Sequence, residues 1–195
     1  MHFKLEIATY FKLIGTLVIV WISSTSSVMA RDGAYFAFSL GQSQTETNGA
    51  KYSGIGYSVM LGAQLNHHFA IEVEYINHGE MSDDKHDTIS ASGRVVSLIF
   101  LQPLSQRTSL YVKLGAAQVN SIMRGTTITG VSDTMSSMPY GVGMQYRFSR
   151  NSTLRLFAES GYNYQVNGTT GAVATTNYNF NGGIYRIGLA SLYVF

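Results

Sequence analysis

The sequence predicts an all-β fold, an eight-stranded antiparallel up-and-down transmembrane β-barrel preceded by a cleavable signal peptide. Three observations predict it. Eight segments alternate apolar and polar residues with the two-residue period of a strand. The gaps between them alternate short and long, and charged residues within the segments keep to one face. The chain is 45% hydrophobic and only 12% charged, yet no segment after Ala30 is apolar over the ~20 residues a spanning helix needs. A barrel wall accommodates such a composition, because only every second residue of each strand faces lipid.

The N-terminus comes first. Lys4 and Lys12 precede an apolar run from Leu13 to Ile22, and a small-residue stretch ends in Val28-Met29-Ala30. That is the layout of a secretory signal, with cleavage expected between Ala30 and Arg31; residues 1–30 are assigned to the signal and 31–195 to the barrel. The apolar run is about half the length of a permanent anchor. Without the signal the chain holds 11 basic and 10 acidic residues. Near-neutrality argues against a nucleic-acid partner, which needs basic residues gathered on one face. The absence of cysteine excludes a disulfide framework and a thiolate metal site.

The expected strands are Ala34–Gln42, Gly54–Leu65, Phe69–Asn77, Gly93–Leu104, Ser109–Val119, Pro139–Phe148, Thr153–Tyr164 and Ile184–Phe195. Each is close to the ~9–11 residues of a tilted strand crossing a bilayer. Short turns fall at Asn66–His68, Ser105–Thr108 and Ser149–Ser152; long polar gaps fall at Ser43–Ser53, Gly79–Ser92, Asn120–Met138 and Gln165–Gly183. Short periplasmic turns and long extracellular loops are the outer-membrane pattern, so both termini are expected in the periplasm and four loops outside.

Within strands, Phe69, Ile71, Val73 and Tyr75 oppose Glu72 and Glu74, and Leu110, Val112, Leu114 and Ala116 oppose Lys113. The sixth segment sets Tyr140, Val142, Met144, Tyr146 and Phe148 against Arg147. The seventh sets Leu154, Leu156, Ala158 and Tyr162 against Arg155 and Glu159, and the last sets Tyr185, Ile187, Leu189, Tyr193 and Phe195 against Arg186. A lipid-facing Arg or Lys at the midplane costs ~2–4 kcal/mol, so the charged face is the lumen. In the fourth segment both faces are apolar, which leaves Arg94 unplaced. Glycines gather on the inner face, leaving space for large side chains in a narrow tube. Tyr57, Tyr75, Tyr140, Tyr162 and Tyr185 toward the loops, and Phe69, Phe148, Tyr193 and Phe195 toward the turns, form two expected aromatic girdles.

The ending Gly188-Leu-Ala-Ser-Leu-Tyr-Val-Phe195 resembles the C-terminal signal by which outer-membrane barrels are recognised for assembly. With Leu154-Arg-Leu-Phe-Ala-Glu159 and Tyr111-Val-Lys-Leu-Gly-Ala-Ala117, it makes residues 31–195 resemble the opacity-protein and OmpA/OmpX-like small barrels of the Gram-negative outer membrane. The resemblance implies a structural or adhesive surface protein with no cofactor, partnered by outer-membrane lipid, the barrel-assembly machinery through Tyr193 and Phe195, and an extracellular or host ligand through the loops. No peptidoglycan-binding domain of the larger OmpA type is expected after Phe195.

Seven inward charges, Glu72, Glu74, Lys113, Arg147, Arg155, Glu159 and Arg186, form the one candidate constellation. They read as an internal ion-pair plug rather than an ion path, because eight strands enclose little room for water and buried charges must be paired. No enzyme is expected. His67 and His68 fall in a short turn and His78 and His86 in a long loop, so no His stands on an inner face beside a Ser and a carboxylate. Glu80, Asp83, Asp84 and Asp87 lack the spacing of a calcium loop. Apolar residues in the last two loops, among them Ile122, Met123 and Met135, suggest a binding surface.

Overall fold

The computed structural model describes residues 33–47, 49–82, 88–124, 133–169 and 177–195; side chains are described for all of these except 133 and 166–181. The predicted signal 1–30 and its cleavage site Ala30–Arg31 lie outside the described residues. The strands are β1 Gly33–Thr47, β2 Ala50–Gln64, β3 Phe69–Ser82, β4 Thr88–Pro103, β5 Thr108–Arg124, β6 Asp133–Ser137, β7 Tyr140–Arg147, β8 Ser152–Thr169 and β9 Asn177–Val194. All pairings are antiparallel, and β1–β9 and β4–β5 close the sheet on itself.

Nine strands occupy eight wall positions, because β6 and β7 hold one continuous register on β5, from Ala117↔Ser137 to Leu114↔Tyr140. Pro139 lies at the break between them; it has no N–H to give the ladder, and its carbonyl accepts from Gly115 N at 2.8 Å. On the other side β8 pairs with β7 only up to Ser160. Above that point the Ser137 hydroxyl bridges the gap to β8, accepting from Asn163 N and donating to Asn163 O, both at 3.0 Å. Among the described residues no backbone pair joins β6 to β8.

The strands run further out than the sequence suggests. Ser43–Ser53, expected as a long loop, is instead strand on both sides, with Thr47 pairing Ala50 across residues 48–49 and Gly49 at φ 75°. Asn48-Gly49 is the dipeptide that a tight hairpin selects. In the other three long gaps strand continues to Ser82 and from Thr88, to Arg124 and from Asp133, and to Thr169 and from Asn177, with 83–87, 125–132 and 170–176 outside the described residues.

Two glycine bulges mark where the membrane section gives way to this extension. In β3 the register slips between Asn77 and Glu80 around Gly79, φ 77°; in β8 it slips between Glu159 and Tyr162 around Gly161, φ 84°. An extra residue in one strand reverses which parity faces inward. Tyr162, expected in the outer girdle, therefore points into the lumen at 0% exposure. His78, expected in a loop, is inside at 0% because β3 continues past Asn77 with its even residues still inward.

Below the bulges the expected faces hold. Outside lie the apolar band and both girdles, with Tyr57, Tyr75, Tyr140 and Tyr185 above and Phe148, Tyr193 and Phe195 below, all exposed to the surroundings. The ambiguous fourth segment resolves: Arg94, Val96 and Leu98 face out, while Val95, Ser97, Ile99 and Leu101 face in. Arg94 thus stands one position above the apolar band, level with Tyr75, its partner in the ladder. Inner glycines receive rings. A side chain at Gly62 would enter the Tyr35 ring, and one at Gly143 the Tyr111 ring.

Candidate functional site

The lumen is layered. At the periplasmic end Tyr35, Met60, Ile99, Leu101, Tyr111 and Phe157 pack into an apolar cluster with neighbouring alanines and Leu192. At the extracellular end Tyr52, Ile76, Met81, Ile89, Val119, Met123, Tyr162, Tyr164 and Ile184 belong to a second. Strands β2, β3, β4, β5, β8 and β9 pass from one cluster to the other through a polar stretch: β3 runs Ala70, Glu72, Glu74, Ile76, and β5 runs Tyr111, Lys113, Gly115, Ala117. The ions occupy the middle.

Six of the seven predicted charges meet there, three carboxylates and three cations. Lys113 Nζ donates to Glu74 Oε2 at 2.6 Å and Glu159 Oε1 at 2.8 Å. Arg186 reaches Glu74 Oε1 at 3.4 Å and Glu159 Oε2 at 3.8 Å, and also donates to Ser39 Oγ. Arg155 pairs with Glu72, which also accepts from the Tyr35 hydroxyl, and its guanidinium lies 4.7 Å from the Tyr111 ring centroid. Arg186 stands 4.7 Å over Phe157. Isolated ions could not remain charged at such depth; pairing one cation to each carboxylate makes the layer neutral, and the flanking rings favour the cations.

Arg147 is the exception. It is half-buried on the inner face of β7, but at the periplasmic mouth, and among the described residues it makes no ion pair. Sequence parity placed it on the right face and could not give its depth.

Two residues that the sequence reading missed join the site, Tyr162 through the β8 bulge and His78 through the extra length of β3. Tyr162 donates to Glu159 Oε2 at 2.8 Å and so joins the ion layer from above. Its ring meets His78 edge-on at 4.9 Å, and His78 Nδ1 lies 3.2 Å from Ser43 Oγ. A Ser and a His are thus adjacent inside the barrel, contrary to expectation. Both have zero exposure, so a substrate has no approach to them. Parity could have signalled the change: the inner apolar residues switch from even to odd numbers between Ile76 and Met81, across Gly79.

The supposed loop surface is partly interior. Met123 is buried in the upper cluster, whereas Ile122 faces outward. Ile128, Val131 and Val173 lie outside the described residues, as do Asp83, Asp84, His86 and Asp87. Outward residues of the extension are mostly polar, including Gln42, Gln44, Glu46, Lys51 and Asn120. Arg124 and Glu80 form an exposed pair at 3.9 Å.

A closed barrel with apolar outer and charged inner faces is the architecture of outer-membrane proteins, and a family model described as the outer membrane protein beta-barrel domain matches residues 16–191. The chain belongs to this family. Its place is the bacterial outer membrane. Solved structures similar to this barrel include Neisserial surface protein A, at 14% identity and TM-score 0.62, covering 84% of this chain and 97% of that one. OprG from Pseudomonas aeruginosa is similar at 10% identity and TM-score 0.57, with 87% and 100% covered. Ail, the attachment invasion locus protein of Yersinia pestis, is similar at 15% identity and TM-score 0.51, with 83% and 99% covered. At these identities the likeness is one of fold. Among curated proteins none matches the sequence.

Proposed function

We propose that this barrel is a sealed scaffold whose rigid extracellular β-extension serves a structural or adhesive role at the cell surface. The observation that carries the reading is the neutral ion layer held between two apolar clusters, which fills the membrane section and leaves the extension as the part available to partners. Above the bulges the strands continue with apolar residues inside and polar residues outside, so the extension is a folded continuation of the barrel. Ail is named for attachment and invasion; that property is Ail's, and the shared architecture makes it a reasonable one to test here.

Planar-bilayer recordings and attachment assays test the two halves. Bilayers holding the assembled barrel are expected to stay silent; discrete currents that change with Glu159→Ala or Arg147→Ala would replace the sealed reading with a narrow channel. Bacteria expressing the barrel with residues 120–138 exchanged for a short turn are expected to keep the barrel and lose attachment to animal-cell monolayers. Unchanged attachment would leave only the structural role. Tyr193 and Phe195, stacked edge-on at 5.6 Å on the outer face of the last strand, are further proposed as the contact for the assembly machinery. Phe195→Ala should then lower the amount of assembled barrel in cells while leaving detergent refolding unchanged; equal loss in both would assign it to stability alone.

A further inference from the structure

Acidic residues on the strands outside the ion layer keep to the extracellular side, where Lys51, Arg94 and Arg124 accompany them. Glu46, Glu80 and Asp133 all belong to the extracellular half of their strands. At the periplasmic end the β4–β5 turn carries Arg107, the end of β7 carries Arg147 and the β7–β8 turn carries Arg150, and among the described residues no acidic side chain stands there. The two turns are neighbours, since β5 pairs with β7 and Arg147 N donates to Arg107 O at 2.8 Å.

Between them lies a cleft of about 560 Å³ lined by Gln106, Arg107, Arg147, Phe148, Ser149 and Arg150. Phe148 is half-exposed on the outer face and belongs to the lower girdle, beside Tyr146. Phe148 thus sets the outer rim of the cleft at headgroup height, with Arg147 on its lumenal side. Phe195 donates its N–H to Ala34 O of β1, and Val194 before it pairs with Asn151 of the β7–β8 turn, but among the described residues no ion pair joins the last residue to these arginines.

Three guanidiniums with no ion pair among the described residues, polar turn residues around them and an aromatic ring at the lip are complementary to an amphiphile with a negative head. Guanidinium offers phosphate two parallel donors, and basic pockets at membrane height hold anionic lipid heads. We infer that this cleft binds the phosphate headgroup of an anionic phospholipid of the periplasmic leaflet. A free oxyanion would satisfy the arginines and leave Phe148 unused; the girdle position selects the lipid.

The full barrel in nanodiscs of zwitterionic phosphatidylethanolamine doped with phosphatidylglycerol tests the assignment, with retained lipid read by native mass spectrometry. Phosphatidylglycerol is expected to be enriched over its bulk fraction. Retention should fall about fivefold for each of Arg107→Gln and Arg150→Gln, from the usual contribution of one basic side chain near an anionic surface. Arg94→Gln, on the outer face at the opposite interface, should leave it unchanged. The wild-type measurement stands even if a variant assembles poorly. Absence of enrichment in the wild type, equal loss with Arg94→Gln, or displacement of the lipid by millimolar inorganic phosphate alone would overturn the inference.

Discussion

Replacing Lys113 by methionine removes one cation and keeps most of the side chain's volume. Its ammonium is shared between Glu74 and Glu159 at 2.6 and 2.8 Å, with both carboxylates almost wholly buried. After the change three carboxylates face two arginines, and Arg186, at 3.4 and 3.8 Å, must serve both Glu74 and Glu159. Removing one partner of a buried ion pair costs about 3–5 kcal/mol. At ~1.4 kcal/mol per tenfold, the unfolded fraction rises by roughly two to nearly four powers of ten. The assay is urea unfolding of barrel reconstituted in lipid vesicles, followed by the heat-sensitive shift of the folded band in SDS gels. The double variant Lys113→Met with Glu159→Gln restores neutrality, leaving Glu72–Arg155 and Glu74–Arg186, and should recover part of the loss. If the double variant is no more stable than Lys113→Met alone, lost packing rather than charge imbalance explains the effect and the neutral-layer account fails.

Three further outcomes follow from the bulges and the inner glycines. With Tyr162 inside and Asn163 outside, a cysteine at 163 should react with a membrane-impermeant maleimide while one at 162 does not, the reverse of simple alternation; Gly161→Val, forced to φ 84°, should cost at least ~1–2 kcal/mol in the same urea assay. Gly143→Val would drive a branched side chain against the Leu156 carbonyl oxygen and the Tyr111 ring and should destabilise by about 1–3 kcal/mol, with partial rescue by Tyr111→Ala; an unchanged urea midpoint would show that both the β8 backbone and the ring have room to move.

The barrel was legible because alternation depends only on neighbours along the chain. Glu72, Glu74, Lys113, Arg155, Glu159 and Arg186 could be placed on the inner face from parity alone, and all six meet. Depth is another matter. It depends on stagger between strands, which no single segment contains, and so Arg147 was grouped with charges that lie well above it. Tyr162 escapes simple alternation because the residue inserted at Gly161 reverses parity, whereas His78 keeps the even inner parity of β3 and is missed because the strand runs past Asn77. Ser43–Ser53 was taken as a loop because a strand above the membrane has a polar outer face and loses the apolar half of its alternation. Asn48-Gly49 was the available signal, and its tight hairpin leaves no long loop there.

The Ser137 bridge bears on how such a molecule yields. Every strand of a closed wall is clamped from both sides, which denies unfolding a free end from which to begin. Where β6 faces β8 the described residues form no backbone ladder and the Ser137 hydroxyl bridges instead, so the upper wall possesses a margin that lifts more readily than the pairs below Ser160. Amides of Thr134 to Ser137 should surrender their protons to deuterium long before those of Val142 to Tyr146, and the partner-facing half of the protein would breathe without disturbing the half that is held in the membrane.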